Sequence, residues 1–270
     1  MSTTLIGFVW KDKEAKMIIR ALLLLLLSGG MAISVQGCRS NCAKCGVIND
    51  EAMRYLKADR VELSRQRFKL CLEYDPDYML CLNGLGMIAL REKKFKKAAK
   101  FFKKALAKNS NFAQARVNLG FVYAHWKNYK RARHLFYSAV RIDPALKDAR
   151  YNLARMLIHL RRWKKARAHL LRLTAFYPRF SEAHALLGYV EFERKNWKQA
   201  ARHFLRTVQI SPNHLSAHIN LCKVLYFLGT FPQACWHCNQ ALRIDPQNAE
   251  SKAAKQQVDI KLRQFGKRCQ

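Results

Sequence analysis

Residues 111–144 read NFAQARVNLGFVYAHWKNYKRARHLFYSAVRIDP, and this stretch decides the fold. It contains a Leu119-Gly120 pair, an Ala132-x₃-Phe136 pair and a closing Pro144. The same residue types recur at a step of 34 residues. The prolines on this lattice are Pro76, Pro144, Pro178, Pro212 and Pro246, and Ser110 stands at the position that lacks a proline. A fixed step of this size indicates a solenoid of repeated supersecondary units.

Five repeats match the pattern, beginning at Leu85-Gly86, Leu119-Gly120, Leu153-Ala154, Leu187-Gly188 and Leu221-Cys222. An earlier, degenerate repeat supplies Tyr55, Ser64, Phe68, Cys71 and Pro76. The pattern resembles the tetratricopeptide repeat. That resemblance implies an all-α superhelix, an α-α solenoid of six helix-turn-helix repeats over residues 45–246. Residues 247–270 are expected to form a capping helix and tail, because their apolar residues are few and amphipathically spaced.

Small residues at the Gly86 and Ala98 positions let the two helices of a hairpin approach, and Phe102 fills the space toward the next repeat. Proline ends the second helix because it lacks an N–H and keeps the preceding residue out of the α region.

The composition of 50 Lys and Arg against 18 Asp and Glu gives a formal net charge of +32. Such a charge concerns partners rather than fold. The basic residues cluster at the start of each second helix and flank one aromatic residue. These groups are Lys93, Lys94, Lys96 and Lys97; Lys127, Lys130 and Arg131; Arg161, Arg162, Lys164 and Lys165; and Lys195 and Lys198. Stacked repeats would align them into a basic edge that faces an anionic surface, such as lipopolysaccharide phosphates or an acidic partner. The alternative is a solvated edge.

The N-terminal residues 1–37 resemble a signal peptide, with Arg20 before the apolar run 21–27. The true start is predicted at Met17. Val35-Gln36-Gly37-Cys38 resembles the lipobox of bacterial lipoproteins, which implies acylation of Cys38 and a lipid-anchor tether over residues 38–44. The alternative is an ordinary secretory signal that precedes a cysteine. Under the lipoprotein interpretation the chain resides in the bacterial envelope, on the outer membrane and facing the periplasm, where it meets no nucleic acid.

The first helices of tetratricopeptide repeats line the concave face, so the resemblance implies a groove for a protein partner. The expected groove residues are Asn118, Phe121, Tyr151, Asn152, Arg155, Tyr189, Phe192, Asn220 and Tyr226. An amide can both donate to and accept from a peptide backbone, and aromatic side chains can receive apolar ones. The alternative is that the asparagines satisfy only local groups of their own helices.

Nine cysteines are present, which leaves eight if Cys38 is acylated. We predict a disulfide within the last repeat that joins Cys222 to either Cys235 or Cys238, and a second between Cys71 and Cys81. Buried free thiols are the alternative. No paired-carboxylate motif, Gly-rich phosphate loop or metal-ligand set is recognised, so we expect no catalytic residue, cofactor or metal.

A lipobox followed by six tetratricopeptide repeats resembles the type IV pilus biogenesis lipoproteins called pilotins. That resemblance implies a non-enzymatic scaffold that assists assembly of the outer-membrane secretin. One alternative is a periplasmic tetratricopeptide lipoprotein that serves as an adaptor for peptidoglycan enzymes or envelope assembly. Another is a thiol–disulfide redox protein that uses Cys235 and Cys238.

Overall fold

The computed structural model describes residues 43–266 and 268–269. The signal-peptide region, the predicted start at Met17 and the predicted lipid anchor Cys38 lie outside these residues. The described part of the chain forms thirteen α-helices and no strand. They are α1 (43–57), α2 (Val61–Tyr74), α3 (Met79–Arg91), α4 (Phe95–Lys108), α5 (Ala113–His125), α6 (Tyr129–Ile142), α7 (Lys147–His159), α8 (Trp163–Phe176), α9 (Ser181–Glu193), α10 (Trp197–Ile210), α11 (Leu215–Phe227), α12 (Phe231–Ile244) and α13 (Ala249–Gln264).

The described residues divide into two compact units, the first ending at Lys108 and the second beginning at Asn109. The first unit contains the hairpins α1–α2 and α3–α4. The second contains the hairpins α5–α6, α7–α8, α9–α10 and α11–α12, followed by α13. We call the first helix of each hairpin the A helix and the second the B helix. In the second unit α5 contacts α7, α7 contacts α9 and α9 contacts α11, so its four A helices form one continuous layer.

A contact between glycine and phenylalanine holds each typical hairpin together. Gly120 on α5 faces the buried ring of Phe136 on α6, and a methyl group added to Gly120 would lie 2.7 Å from Phe136 Cε1. Gly188 faces Phe204 with the same 2.7 Å separation, to Cδ1. Because interiors are packed to crystal-like density, the missing side chain of glycine is the space that the ring fills.

Two repeats fill this position differently. In the α7–α8 hairpin, the larger Ala154 replaces glycine and the smaller Leu170 replaces phenylalanine, and both are fully buried. In the α11–α12 hairpin, Cys222 and Cys238 occupy the two positions and form a disulfide. In the first of these hairpins a larger residue on one helix is matched by a smaller one on the other, so the two side chains together still fill the space. In the second, a covalent bond replaces this packing contact.

The turn from each A helix to its B helix contains one residue with a left-handed backbone. These residues are Asp59, Lys93, Lys127, Arg161, Lys195 and Gly229, at φ between 52° and 75°, again at steps of 34 residues. In the turn after α9, the Lys195 N–H bonds to the Phe192 carbonyl and the Asn196 N–H to the Glu191 carbonyl. This is the Schellman arrangement, which satisfies the last carbonyls of a helix. The left-handed position favours glycine, yet five of these six turns carry another residue.

The opposite turns, from B helix to next A helix, are held by basic side chains in the second unit. Arg116 donates to the carbonyl of Ser110, and Arg150 donates to that of Pro144. His184 Nε2 lies 3.1 Å from the Pro178 carbonyl and His218 Nε2 2.9 Å from the Pro212 carbonyl. Each donor follows its acceptor by six residues. The bond uses the carbonyl and not the ring, so Ser110 serves in place of proline.

None of the helices in the described residues is at once long enough and apolar enough to cross a membrane.

We predict that Gly120→Ala lowers the free energy of unfolding by about 1–2 kcal/mol. The clash with Phe136 outweighs the gain in helix propensity. Gly46→Ala is the matched control. Gly46 is also helical, but its nearest neighbour would be Tyr78 Oη at an ordinary 3.7 Å, so this change is expected to stabilise. Urea denaturation measures both. Adding Phe136→Leu to Gly120→Ala recreates the Ala–Leu pair of the α7–α8 hairpin and should recover part of the loss.

A second prediction concerns the left-handed turns. Lys195→Gly should raise the free energy of unfolding by about 0.5–1 kcal/mol, because glycine adopts this backbone without steric cost. Gly229→Ala, at the equivalent position one repeat later, should lower it by a similar amount. Equal midpoints for both variants and the parent in urea denaturation would contradict the assignment of strain to these turns.

Candidate functional site

The nine predicted groove residues all lie on the A helices of the second unit, and six of them line two pockets there. The first pocket, here called the α5–α7 pocket, has a volume of about 300 Å³. It is lined by Phe121, Ala124, His125, Tyr129, Phe136, Asn152, Arg155, Met156 and His159. Phe121 stands edge-on to Phe136 with ring centroids 5.7 Å apart, so an apolar floor lies beside polar Asn152 and Arg155.

The second pocket, here called the α7–α11 pocket, has a volume of about 270 Å³. It is lined by Tyr151, Glu182, Ala185, Leu186, Tyr189, Phe204, His214, Ser216, Ala217 and Asn220. Tyr151, Tyr189 and Asn220 come from three successive A helices. This pocket carries a carboxylate from Glu182, whereas the α5–α7 pocket carries the guanidinium of Arg155, so the two pockets differ in charge.

The three predicted asparagines make hydrogen bonds within their own helices. Asn118 is buried and accepts from Gln114 Nε2 at 3.3 Å. Asn152 donates to the Asp148 carbonyl at 2.7 Å, and Asn220 to the Ser216 carbonyl at 2.8 Å. Each partner is four residues earlier, as in side-chain bonding to the preceding helical turn. These bonds orient the amides of Asn152 and Asn220 at the pocket walls, whereas Asn118 does not line either pocket.

Phe192 and Tyr226, also predicted for the groove, are not among the residues that line the two pockets and belong to an aromatic cluster. Phe192 packs edge-on to Trp197 at 5.1 Å, and Tyr226 packs against Phe231 at 5.6 Å. Trp197 and Phe227 stack at 4.7 Å. The Trp197–Phe227 contact joins the start of α10 to the end of α11, and so it packs one repeat against the next.

The tyrosines of the α7–α11 pocket keep their protons at neutral pH. Burial raises the pKa of Tyr151, although the Arg155 guanidinium over its ring, 5.8 Å from the centroid, opposes the shift. Burial, together with the nearby Glu193 carboxylate, raises the pKa of Tyr189. The Tyr189 hydroxyl donates to Glu193 and can accept a further hydrogen bond, whereas the Tyr151 hydroxyl can donate to a bound chain.

A buried carboxylate fixes the turn after α9. Burial by itself would raise the pKa of Glu191, but hydrogen bonds from Asn196 and Arg167 outweigh it and the pKa is lowered. Arg194 also bonds the same carboxylate at 3.0 Å. Glu191 thus links α8, α9 and the turn into α10, and this position gave no signal in the sequence pattern.

Three disulfides are present in the described residues: Cys71–Cys81, Cys222–Cys238 and Cys235–Cys269. The sequence left the partner of Cys222 open between Cys235 and Cys238, and in the structure it is Cys238. Cys71 and Cys81 occupy slots that hold the small Ala139 and Ala149 in a later repeat. The third pair was not foreseen, although its separation of 34 residues is one repeat step.

This pairing bears on the redox alternative. The two cysteines of Cys235-Trp236-His237-Cys238 are joined to different partners, not to each other. A dithiol pair that exchanges between thiol and disulfide states needs its two sulfurs to bond to each other. Among the described residues, no group of three or more His, Cys, Asp or Glu side chains could hold a metal ion.

Sequence reasoning missed the neighbours of the predicted residues that complete the pockets, notably His125, Tyr129 and His159 around the first and Glu182 and His214 around the second. Tyr129 and His159 stack at 5.1 Å. Helical spacing could have identified His159, because it lies four residues after Arg155 on the same face of α7. Tyr129 belongs to a B helix, and its approach depends on packing between repeats.

Residues 49–112 and residues 125–188 each match a family model of the tetratricopeptide repeat. No curated protein matches this chain. Solved structures similar to this chain include YrrB, described as a TPR protein with an unusual peptide-binding site, at 23% identity and a TM-score of 0.62; the match covers 70% of this chain and 97% of YrrB.

Two further similar structures are PilF and PilW. PilF of Pseudomonas aeruginosa is 15% identical with a TM-score of 0.74, over 81% of this chain and 99% of PilF. PilW, described as a widely conserved type IV pilus biogenesis factor, is 20% identical with a TM-score of 0.67, over 77% and 97% of the two chains. At these identities the likeness establishes the fold alone. The predicted all-α tetratricopeptide fold is confirmed.

Two histidines on B helices, the partly buried His203 and the buried His237, lead to a pH prediction. His203 packs against His184 at 6.0 Å, and His237 Nδ1 lies 3.0 Å from His218 Nδ1. Burial, reinforced by the neighbouring histidine, lowers the pKa of His203 and of His237 to about 4. Both side chains are neutral in the folded protein at pH 5–6, whereas in the unfolded chain they bind a proton near pH 6.5.

Because the unfolded state binds more protons in this range, stability falls as pH drops from about 6.5 toward 4 and is unaffected by these groups at higher pH. The double variant His203→Leu, His237→Leu should reduce that pH dependence. Leucine is chosen because Leu135 occupies the same repeat position two repeats before His203. Urea midpoints at several pH values measure the pH dependence. An unchanged pH dependence in the double variant would contradict the role of this pair.

Proposed function

We propose that the second unit of this tetratricopeptide-repeat protein binds a segment of a partner protein across its A-helix layer. The observation that carries the proposal is the meeting of six predicted groove residues in two adjacent pockets on one layer of helices. An extended or helical segment can place one side chain in each pocket while its backbone contacts the polar walls. Binding by a rigid, preformed surface limits the entropy lost on association.

The two pockets select different side chains. The α5–α7 pocket has an aromatic floor and Arg155, which suits an apolar side chain next to a carboxylate or carbonyl group. The α7–α11 pocket offers two tyrosine hydroxyls, the Asn220 amide and Glu182, which suits a polar or basic side chain. The partner segment is thus expected to carry an apolar or acidic position followed by a polar or basic one.

For the biological role, we propose that the protein is a lipoprotein of the bacterial outer membrane, facing the periplasm. There it acts as a non-enzymatic scaffold in type IV pilus biogenesis by assisting assembly of the secretin. The support is the layout of lipobox and repeats together with the shared fold of PilF and PilW. Three disulfides among the described residues also fit an oxidising compartment such as the periplasm.

The test of the groove uses a complementation assay in cells with a type IV pilus. Deletion of the gene should abolish secretin multimers on a blot, and the wild-type chain should restore them. Tyr189→Ala combined with Asn220→Ala should restore few or none, because both residues line the α7–α11 pocket. Tyr137→Ala with Gln209→Ala is the matched control, since both of its residues are exposed on B helices away from the pockets.

Equal restoration by the groove variant and its control would contradict the groove. Multimers that persist after deletion would contradict the pilus role. In that case, co-purification of peptidoglycan enzymes, lost in the groove variant, would assign the scaffold to cell-wall assembly. Retention of the Cys38→Ser chain in the outer-membrane fraction would contradict the lipid anchor.

A further inference from the structure

One rim of the second unit is formed by the turns from A helix to B helix, and it is lined with cations. We call it the basic rim and define it by Lys127, Lys130, Arg131, Arg161, Arg162, Lys164, Lys165, Lys195 and Lys198. These residues lie in three successive turns and the first residues of α6, α8 and α10. Every one of them is exposed.

Ring contacts show that neighbouring turns of the rim are adjacent. Tyr129 at the start of α6 stacks on His159 at the end of α7, and Trp163 at the start of α8 packs edge-on to Tyr189 of α9 at 6.2 Å. Trp197 at the start of α10 stacks on Phe227 at the end of α11. Each contact joins one turn to the next, so the cation groups form a continuous row along one side.

No acidic side chain neutralises this row. None of the nine rim cations forms an ion pair within the part of the second unit that the structure describes. The nearby Glu191 is buried, and its carboxylate is bonded by Arg167, Arg194 and Asn196. Glu193 lies beside Tyr189, which hydrogen-bonds to it. The row therefore keeps its full positive charge toward solvent.

Folding does not account for these cations. Lys127, Arg161 and Lys195 occupy left-handed positions that favour glycine. Lys130, Lys164 and Lys198 lie in the first turn of a helix, where the dipole disfavours a positive charge. Two separate structural preferences oppose basic residues at the rim, yet three successive turns carry them.

Exposed aromatic rings accompany the cations. Trp126, directly before Lys127, is 42% exposed, and Phe227, at the next turn beyond Lys195, is 54% exposed. From this combination we propose that the basic rim docks on the surface of an anionic lipid bilayer, with lysine and arginine at the headgroup phosphates. Aromatic side chains with partly exposed rings suit the interface between headgroups and acyl chains.

The geometry favours a bilayer over a nucleic acid. Binding of single strands uses open aromatic faces on which successive bases stack. At the rim, Tyr129 and Trp197 each have one face covered, by His159 and Phe227 respectively. A bilayer needs no such platform, because its phosphates present charge to any exposed row of cations. None of the nine rim cations lines either of the two pockets.

The experiment compares binding of the full chain to vesicles of phosphatidylcholine alone and of phosphatidylcholine mixed with phosphatidylglycerol. The difference between the two vesicle types isolates the electrostatic contribution from any apolar attachment by residues 21–27. The rim variant carries Lys130→Gln, Lys164→Gln and Lys198→Gln. Its preference for anionic vesicles should weaken by about a hundredfold, because each of the three lost cations contributes a factor of about five to the affinity for an anionic surface.

The matched control carries Arg141→Gln, Arg172→Gln and Arg206→Gln, which remove the same charge from exposed positions near the opposite ends of α6, α8 and α10. It should change the preference by less than about threefold, because long-range charge is screened by salt. Urea midpoints establish that both variants fold.

Equal losses in the rim variant and the control would overturn the proposal, as would equal binding of the wild-type chain to neutral and anionic vesicles. If single-stranded nucleic acid displaces the vesicles, and its own binding is lost in the rim variant, the rim belongs to nucleic acid and the bilayer proposal is wrong. Because the groove residues are intact in the rim variant, secretin multimers separate a failure here from a failure of the groove.

Discussion

The fit between a missing side chain on one helix and a large ring on the next is the constraint on which the repeat depends. Gly120 and Gly188 leave the space that Phe136 and Phe204 fill. This fit sets how closely the two helices of a hairpin approach, and that approach sets where the next A helix can lie. The layer of A helices and its pockets follow from it, and Phe136 and Phe204 themselves line the two pockets.

The exceptions explain how the constraint operates. Ala154 with Leu170 exchanges volume between the two helices, and Cys222 with Cys238 replaces packing with a covalent bond. In the last hairpin, which is followed by α13, this disulfide restricts the separation of the two helices. The Cys235–Cys269 bond adds a second link in the same region.

The two ends of the hairpins in the second unit use basic residues differently. At the turns into A helices, Arg116, Arg150 and two histidines bind backbone carbonyls and serve the fold. At the turns into B helices, lysines and arginines extend into solvent and make no ion pair among the described residues. Charge of one sign thus has a structural role at one rim and remains available for binding at the other. His203 and His237, whose lowered pKa values make folding sensitive to acid, contact the two histidines that hold the turns into A helices.

The sequence by itself determined the repeat, because a 34-residue lattice of glycine, alanine, phenylalanine and proline is a local pattern that can be counted along the chain. The resemblance that this lattice carries also led to the expectation that Tyr151, Arg155 and Tyr189 lie on the groove face of the A helices. Only the tertiary structure decided which of these residues share a pocket, because Tyr129 and Phe204 reach the pockets from B helices. It also decided that Asn118 is buried, that Phe192 packs against Phe227 of the next repeat, and that Tyr226 packs against Phe231 within its own hairpin. The left-handed turns and the choice of Cys238 over Cys235 likewise depend on backbone geometry and distance. Residue spacing along the chain defines faces and steps, whereas the contacts between faces arise only when the helices have packed.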